Sequence, residues 1–385
     1  MAIKYTLMAL FCKSLSNANS LKPFFTCICL IIMDLESRID IIQEVGEEII
    51  TEEDLRSLLQ TKQTPIAYDG FEPSGKIHIA QGMLRTINVN KMAKAGCKFK
   101  MWVADWHAWA NNKLGGDLSK IQKAGEYMVE VWKATGMDLN KVEFLWASDV
   151  MGNRAYWDKV MKIAINTSLK RILRCTQIMG RSETDVLQSS QIFYPCMQAA
   201  DIFHLDVDIA QLGMDQRKVN MLAREIAPKL GFQKPVAVHH HMLLGLTQIN
   251  TNASGVDRAI EMKMSKSKPN SAIFMTDSSD AVNKKMNKAF CPEKIVEDNP
   301  VLEYCKYLIF ESVKEFKVER PEKFGGNVEY ASYTDLESDF VSGKLHPMDL
   351  KNATATHINE LLQPVRNHFE KNAKAKKILE EINSF

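Results

Sequence analysis

Short apolar runs alternate with longer stretches of helical periodicity between residues 64 and 240. Five runs have the length and residue types of strands, and they lie at residues 65–68, 99–103, 142–146, 207–212 and 236–240. Helical spacing of apolar residues separates or follows them, at 77–95, 118–135, 154–178, 184–200 and 216–229. Strands and helices that alternate in this way predict an α/β fold, in which a parallel sheet carries helices on both faces. Ligands then bind at the carboxyl ends of the strands.

The pattern changes on either side of this stretch. Residues 35–60 have the apolar spacing of a helix, and Thr51 followed by acidic residues indicates a cap that opens another helical turn. Beyond about residue 280 the strand candidates fade and helical spacing dominates. The pattern therefore predicts an α/β domain at 34–280 and a smaller helical domain at 281–385.

The first 33 residues differ from the rest of the chain. They contain no acidic residue, and they end in an apolar run at 24–33 that is too short to span a bilayer. Two interpretations stay open, namely a signal or transit segment, or an extension ahead of a true start at Met33. Both interpretations place these residues outside the fold.

Composition narrows the class of protein. Of the 385 residues, 25% are charged and 45% are hydrophobic, which is ordinary for a soluble globular protein. The net charge of +2 means that any contact with nucleic acid depends on local basic patches. The eight cysteines form no CxxC pair and no ligand spacing with histidine, so we expect reduced thiols and no structural zinc.

Two segments have the character of phosphate-binding loops. Lys263-Met264-Ser265-Lys266-Ser267 places two ammonium groups three residues apart, so that they can close on a polyphosphate. Upstream, the first strand runs into a turn shaped by Gly70, Pro73 and Gly75, with His78 in the first turn of the following helix. The N–H groups at a helix start bind phosphate well. The alternatives are a solvated surface loop and an ordinary strand-to-helix turn.

A row of polar residues predicts a pocket wall. Tyr194, Gln198 and Asp201 are spaced i, i+4 and i+7, so they face the same way on a helix. Burying them unpaired would be costly, so a pocket wall or a solvent-facing surface is expected rather than a core face. Residues 105–109 end a strand and are expected to line the pocket floor. The consecutive histidines at 239–241 alternate across a strand and cannot converge on one metal ion.

Together, residues 78–81 and 263–267 resemble the two signature motifs of class I aminoacyl-tRNA synthetases. The second motif matches fully, whereas in the first Ala80 replaces a glycine and Gln81 replaces the final histidine. Segments 194–201 and 213–218 are similar to tyrosyl-tRNA synthetases of the archaeal and eukaryotic cytosolic type. The resemblance extends from Asp34 to the C-terminus. It implies a Rossmann-like catalytic domain, a helical anticodon-binding domain, and a cytoplasmic homodimer with an interface near residues 150–190.

The resemblance also implies roles for individual residues. Tyr68 and Asp201 would bind the phenolic hydroxyl of tyrosine, and the ammonium group would be held by Tyr194, Gln198 and Gln216. The catalytic residues would be His78, Lys263 and Lys266. The residues expected to bind ATP are Gly70, Glu72, Gly75, His78, Gln81, Lys263, Met264, Ser265, Lys266 and Ser267. The residues expected to bind tRNA are Arg174, Arg217, Lys218, Phe324 and Asp349.

The implied substrates are tyrosine, ATP and tRNA(Tyr), with Mg²⁺ carried by ATP and no metal site built by the protein. Two rival functions stay open. Tryptophanyl-tRNA synthetase is disfavoured by Tyr68 and Asp201, because an indole offers one donor and no acceptor. A non-catalytic RNA-binding paralogue has only Gln81 in its support. We further expect a polar insertion near 250–261, no membrane association, and no RNA-binding module after Phe385.

Overall fold

A six-stranded sheet forms the centre of the fold. The computed structural model describes residues 33–180, 187–248, 258, 264 and 269–385. The strand order is β1-β6-β5-β2-β3-β4. The strands are β1 (Glu48–Ile50), β2 (Ile66–Phe71), β3 (Lys98–Val103), β4 (Val142–Trp146), β5 (Ile209–Gly213) and β6 (Val236–His240). Strands β2 to β6 run parallel, and β1 pairs antiparallel with β6 at one edge.

The sheet contains one reversal of strand order, between β2 and β5. These strands are neighbours, with Ala67 opposite Ile209 and Tyr68 opposite Ala210. Strands β3 and β4 follow β2 on one side of the sheet, whereas β6 follows β5 on the other side. The loops that leave β2 and β5 therefore diverge and open a crevice, which is where open α/β sheets bind ligands.

Helices follow the strands in alternation. They are α1 (Leu35–Val45), α2 (Glu52–Thr61), α3 (Arg85–Lys94), α4 (Asp105–Ala110), α5 (Leu118–Ala134), α6 (Arg154–Ile165), α7 (Leu169–Cys175), α8 (Ser189–His204) and α9 (Arg217–Leu230). Side-chain caps fix several helix starts, because they satisfy backbone N–H groups that have no partner inside the helix. Thr51 Oγ1 accepts from the N–H of Asp54 at 3.1 Å, which matches the predicted cap.

The later part of the chain is mainly helical. Its elements are α10 (Ser279–Lys288), α11 (Pro300–Tyr304), β7 (Phe316–Val318), β8 (Val328–Tyr330), α12 (Tyr333–Ser342), α13 (Pro347–Lys371) and α14 (Ala373–Asn383). Helix α13 packs against α5, and His368 Nε2 lies 2.8 Å from Glu130 Oε2. Buried side chains from both parts of the chain join one hydrophobic core. The boundary expected at residue 281 falls inside α10.

Three local predictions were wrong. Residues 35–60 do not form one helical stretch, because β1 separates α1 from α2 and covers the edge of β6. The stretch 154–178 is broken between α6 and α7, where Ser168 caps the second helix. Strands β7 and β8 form an antiparallel pair that the sequence pattern did not predict, since three-residue strands carry too little alternation to detect.

One further property concerns membranes. Within the described ranges, none of the helices has both the length and the apolar character required for crossing a bilayer.

Candidate active site

A cavity of about 560 Å³ opens at the carboxyl ends of the parallel strands. Its walls come from the ends of β2, β5 and β6, from α8, and from the turn that leads into α3. The predicted site residues that line it are Tyr68, Gly70, Glu72, His78, Gln81, Tyr194, Gln198, Asp201, Gln216 and Met264. The structure therefore brings together residues from five separate segments of the chain. Gly75 does not line the cavity, although its neighbour Ser74 does.

Helix α8 supplies one wall. Tyr194, Gln198 and Asp201 all lie on this helix and face the cavity, as their spacing predicts. All three are buried, and Asp201 is only 1% exposed. The helix thus carries a polar stripe into the interior, where its groups must find partners from the protein or from a ligand.

The carboxylate of Asp201 is held from two sides. Tyr156 Oη donates to Asp201 Oδ1 at 2.9 Å. His107 Nε2 stands 2.9 Å from Oδ2, but without the alignment of a hydrogen bond. Burial opposes the charge on His107, and the carboxylate of Asp201 outweighs burial, so the pKa of His107 is raised. Among the described residues, Oδ2 has no hydrogen-bond partner, which leaves a buried acceptor facing the cavity.

Tyr68 completes this end of the cavity as a donor. It is 1% exposed and lies in β2, beside the reversal point of the sheet. Burial, and then the negative charge of Asp201, hold the pKa of the Tyr68 phenol well above its ordinary value of 10.0. The phenol therefore keeps its proton at neutral pH. A donor and an anionic acceptor at the end of one cavity form a pair that fits a hydroxyl group.

Two amides link α8 to the end of β5. Gln198 Nε2 donates to Gln216 Oε1 at 3.0 Å, and Gln216 Nε2 donates to the carbonyl of Ile178 at 3.1 Å. This relay orients both amides at the cavity wall. Gln198 Oε1 is buried and makes no hydrogen bond to any described residue, so it remains an acceptor for a ligand.

The turn after β2 forms the opposite wall. Gly75 has a φ of +98°, in the left-handed region that favours glycine. A Cβ at Gly70 would lie 3.3 Å from the hydroxyl of Tyr68, so this glycine keeps the cavity open. The carboxylate of Glu72 accepts from Asn111 Nδ2 at 2.9 Å and lies 3.3 Å from Lys113 Nζ.

The first signature motif runs into a π-helical turn. His78 precedes this turn and forms an isolated β-bridge with Phe274, so it does not lie in the first turn of the helix as predicted. This turn covers Ala80–Leu84 and leads directly into α3. The indole Nε1 of Trp132 donates to the carbonyl of Gln81 at 2.9 Å, which anchors the widened turn. His78 and Gln81 both line the cavity. Single π-turns inside helices frequently occur at functional sites, because they redirect side chains.

A buried ion pair beneath the cavity was not predicted. Arg85 forms a salt bridge with Asp69 and a hydrogen bond with Gln211, and both members of the ion pair are almost fully buried. Burial raises the pKa of Asp69 to about 7, although Arg85 opposes this shift. The signal in the sequence was an aspartate inside an apolar strand, but its partner is 16 residues away and on another element.

The second signature motif lies mainly outside the described residues. Lys263, Ser265, Lys266 and Ser267 are not among them, and Met264 is. Met264 is buried, and Tyr304 Oη donates to its sulfur at 3.6 Å. The expected insertion at 250–261 also lies outside the described residues except for Arg258, which pairs with Asp298.

The residues expected to bind tRNA lie in two places. Near the cavity, Arg174 is exposed, Arg217 Nε donates to Glu48 at 2.8 Å, and Lys218 Nζ donates to Gln177. Far along the chain, Phe324 is 59% exposed and Asp349 lies in the first turn of α13.

The two distal loops are tied together by Arg320. Its Nε donates to the carbonyl of Gly326 at 2.7 Å, and its Nη1 donates to the carbonyl of Lys344 at 2.9 Å. Arg320 therefore connects the loop that contains Phe324 to the segment that precedes α13, the helix that carries Asp349.

Comparison with known proteins identifies the family. A model of class I tRNA synthetases for tryptophan and tyrosine matches residues 60–363. The cytoplasmic tyrosine–tRNA ligase 1 of Arabidopsis thaliana is 54% identical over 355 residues, which cover 91% of this chain and 89% of that protein. This chain belongs to the class I tyrosyl-tRNA synthetase family. Enzymes of this class use ATP as a substrate.

Solved structures of family members agree in fold. The tyrosyl-tRNA synthetase of Pyrococcus horikoshii, complexed with L-tyrosine, matches with a TM-score of 0.86 and 42% identity. The match covers 92% of this chain and 100% of the Pyrococcus chain. The Leishmania major enzyme in complex with tyrosinol has a TM-score of 0.82 and 43% identity. That match covers 91% of this chain and 52% of the Leishmania chain.

The tryptophan enzymes are more distant. A tryptophanyl-tRNA synthetase from Aeropyrum pernix K1 is 19% identical, with a TM-score of 0.62. A likeness at this level shows a shared fold and carries no statement about substrate.

Proposed function

We propose that this chain is a tyrosine–tRNA ligase, which activates tyrosine with ATP and transfers it to tRNA(Tyr). The observation that carries the proposal is the buried pair formed by Tyr68, a protonated donor, and Asp201, a carboxylate at the cavity wall whose Oδ2 also lies 2.9 Å from His107 Nε2. A phenolic hydroxyl would donate to Asp201 and accept from Tyr68. An indole would leave Tyr68 unpaired, which disfavours tryptophan.

The other end of tyrosine would lie along α8. Tyr194 Oη and the oxygens of Gln198 and Gln216 are the acceptors that an ammonium group requires. The link between the two amides orients them before the substrate arrives. Preorganised groups of this kind bind without a large loss of side-chain freedom.

The chemistry would then depend on positioning and charge. The carboxylate of tyrosine attacks the α-phosphorus of ATP, and pyrophosphate leaves with the charge stabilised by Lys263 and Lys266. His78 and the amide of Gln81 would donate to phosphate oxygens. Mg²⁺ would accompany ATP, held by phosphate and water oxygens. Glu72 is already bound by Asn111 and Lys113, so we assign it to shaping the ATP wall with Gly70 and Gly75.

The second step requires tRNA at two surfaces. We place the acceptor end near Arg174, Arg217 and Lys218, although the ion pair of Arg217 with Glu48 must then rearrange or be shared. We place the anticodon at Phe324 and Asp349. An exposed aromatic ring can stack on a base, and a carboxylate can accept from a base edge.

The domain organisation and the assembly are part of the same proposal. We assign residues 34–280 to the catalytic domain and 281–385 to the anticodon-binding domain. Among the described residues at 150–180 and 187–190, three large apolar side chains are exposed, with Met161 at 48%, Ile165 at 77% and Leu169 at 58%. An exposed apolar cluster of this kind supports a homodimer interface on α6 and α7. We also propose a cytoplasmic location, as for the Arabidopsis relative of that name.

Amino-acid-dependent ATP–pyrophosphate exchange tests the proposal. We expect exchange with tyrosine and not with tryptophan. Exchange with tryptophan alone would support the rival synthetase, and its absence with both amino acids would support a non-catalytic paralogue. Asp201→Ala is the matched variant, because it removes the acceptor without adding bulk.

A further inference from the structure

A hydrogen-bonded chain of four side chains crosses the base of the crevice. It begins at Asp69 in β2, continues through Arg85 at the start of α3 and Gln211 in β5, and ends at His240 in β6. Three of these side chains are buried, and His240 is half-buried and lines the cavity. The chain thus joins the three strands that surround the reversal point of the sheet.

The chemistry of each member determines the next. Arginine can only donate, and Arg85 Nη2 donates to Gln211, so the amide oxygen must face Arg85. The amide nitrogen of Gln211 must then face His240, and it lies 3.0 Å from His240 Nδ1. Arg85 Nη1, a second donor, lies 3.5 Å from the same Nδ1. With donors on that side, Nδ1 has to be the acceptor, and the neutral ring carries its proton on Nε2.

The charge state of His240 agrees with this assignment. Burial, followed by the positive charge of Arg85, holds the pKa of His240 well below 6.5. The neighbouring His241 and His239 act in the same direction, whereas a hydrogen bond from the ring to the backbone carbonyl of Leu212 opposes them. The imidazole is therefore neutral at physiological pH, and it is a donor through one nitrogen only.

The position of Nε2 indicates which substrate it meets. A Cβ at Gly213 would lie 3.5 Å from His240 Nε2, so this nitrogen stands beside the backbone at the end of β5. The end of the cavity that fits a hydroxyl lies over β2 and β3, at Tyr68 and His107. Strand β6 is two strands away from β2, a separation of about 10 Å at the usual strand spacing. His240 therefore faces the part of the cavity left for the second small substrate.

We propose that Asp69, Arg85 and Gln211 fix His240 as a neutral imidazole whose Nε2–H donates a hydrogen bond to the nucleoside part of ATP. His240 is then a nucleotide-binding residue, and the other three are positioning residues. The proposal rests on the proposed function, because it takes ATP as the second substrate.

Two substitutions separate the two nitrogens of His240. His240→Asn keeps an oxygen near the place of Nδ1, where Gln211 can still donate, and it loses the donor at Nε2. His240→Gln brings an amide donor back near the place of Nε2. In tyrosine-dependent exchange we expect His240→Asn to raise the KM for ATP about five- to tenfold with the KM for tyrosine unchanged, and His240→Gln to recover part of this loss. An unchanged KM for ATP in His240→Asn would overturn the proposal.

Nitrogen NMR tests the tautomer without relying on activity. In full-length protein labelled with ¹⁵N-histidine, the His240 signals are identified by their loss in either variant. We expect the pattern of a neutral ring with the proton on Nε2, and a shift of that nitrogen when ATP is added. A proton on Nδ1, a charged ring near neutral pH, or no response to ATP would contradict the proposal. Wild-type protein that shows the expected NMR pattern but no exchange with tyrosine would instead contradict the proposed function.

Discussion

The contacts of His241 should make folding stability depend on pH above neutrality. His241 directly follows β6, with Nδ1 3.2 Å from the carboxylate of Glu47 and Nε2 3.2 Å from that of Glu303 in α11. Its ring stacks on Tyr307 at 4.4 Å between centroids. Burial opposes the charge on the ring, but the two carboxylates outweigh burial and raise the pKa of His241 from 6.5 to about 9. A protonated histidine thus connects the end of the sheet to the later helices.

The sign of the effect follows from linkage. The pKa is higher in the folded chain than in the unfolded chain, so the stabilisation is fully present below pH 6.5 and is lost as pH rises through about 9. The difference between 6.5 and about 9 sets an upper limit of about 3 kcal/mol on this contribution. The side chain is 24% exposed, so solvent screening reduces our expectation to about 1–2 kcal/mol.

Urea denaturation of the wild type and of His241→Gln between about pH 6 and pH 9.5 measures this contribution. We expect the stability difference between the two proteins to be largest at low pH and to fall by about 1–2 kcal/mol at high pH, where only the pH-independent stacking on Tyr307 remains. Glu303→Gln should lose most of the same pH dependence. Glu311→Gln is the matched control, because it also breaks an ion pair between the sheet region and the later helices, with Lys91, that contains no histidine. A difference that stays constant across the pH range would refute the reasoning.

Three further predictions concern the pocket, the core and the tRNA surface. Asp201→Ala should raise the KM for tyrosine and reduce the exclusion of phenylalanine, because the phenolic hydroxyl of tyrosine loses its partner. Both effects are measured by ATP–pyrophosphate exchange. Tyrosine-activating enzymes are themselves the standard example of this selectivity. A variant that still excluded phenylalanine would contradict the pocket assignment. Gly125→Ala should lower the free energy of unfolding, measured with urea, by about 1–3 kcal/mol, because its Cβ would lie 2.5 Å from the ring of Trp146. Gly152→Ala is the control. It has open space around it, so it should change the free energy of unfolding by no more than about 0.5 kcal/mol. Equal effects of the two alanines would show that the packing argument is wrong. Phe324→Ala should raise the KM for tRNA about tenfold or more, because stacking on a base is lost. ATP–pyrophosphate exchange needs no tRNA, so it should stay as in the wild type. Unaffected charging of tRNA would show that Phe324 is not part of the tRNA interface.

The sequence was most informative where spacing alone brings residues together. Tyr194, Gln198 and Asp201 belong to one helix, so a periodicity of 3.6 residues was enough to predict their shared face. The strands β4 and β6 were predicted at their observed bounds, since both are short apolar runs with clear ends. Local patterns of this kind need no knowledge of the tertiary structure.

The partners of those residues could not be found in the same way. Tyr156 and His107 reach Asp201 from two other helices, 45 residues from it in one case. Arg85 finds Gln211 across 126 residues, and only the strand order of the sheet makes them neighbours. Strand β1 was missed for a related reason, because its three residues become a strand only by pairing with the edge of β6.

The most direct test supplies the full-length protein with ATP, Mg²⁺, a total tRNA preparation and all the protein amino acids together. The amino acid esterified to the tRNA is then identified by mass spectrometry. The donor–acceptor pair of Tyr68 and Asp201 predicts tyrosine, attached to tRNA(Tyr). Any other amino acid on the tRNA, or no charged tRNA at all, would contradict the account.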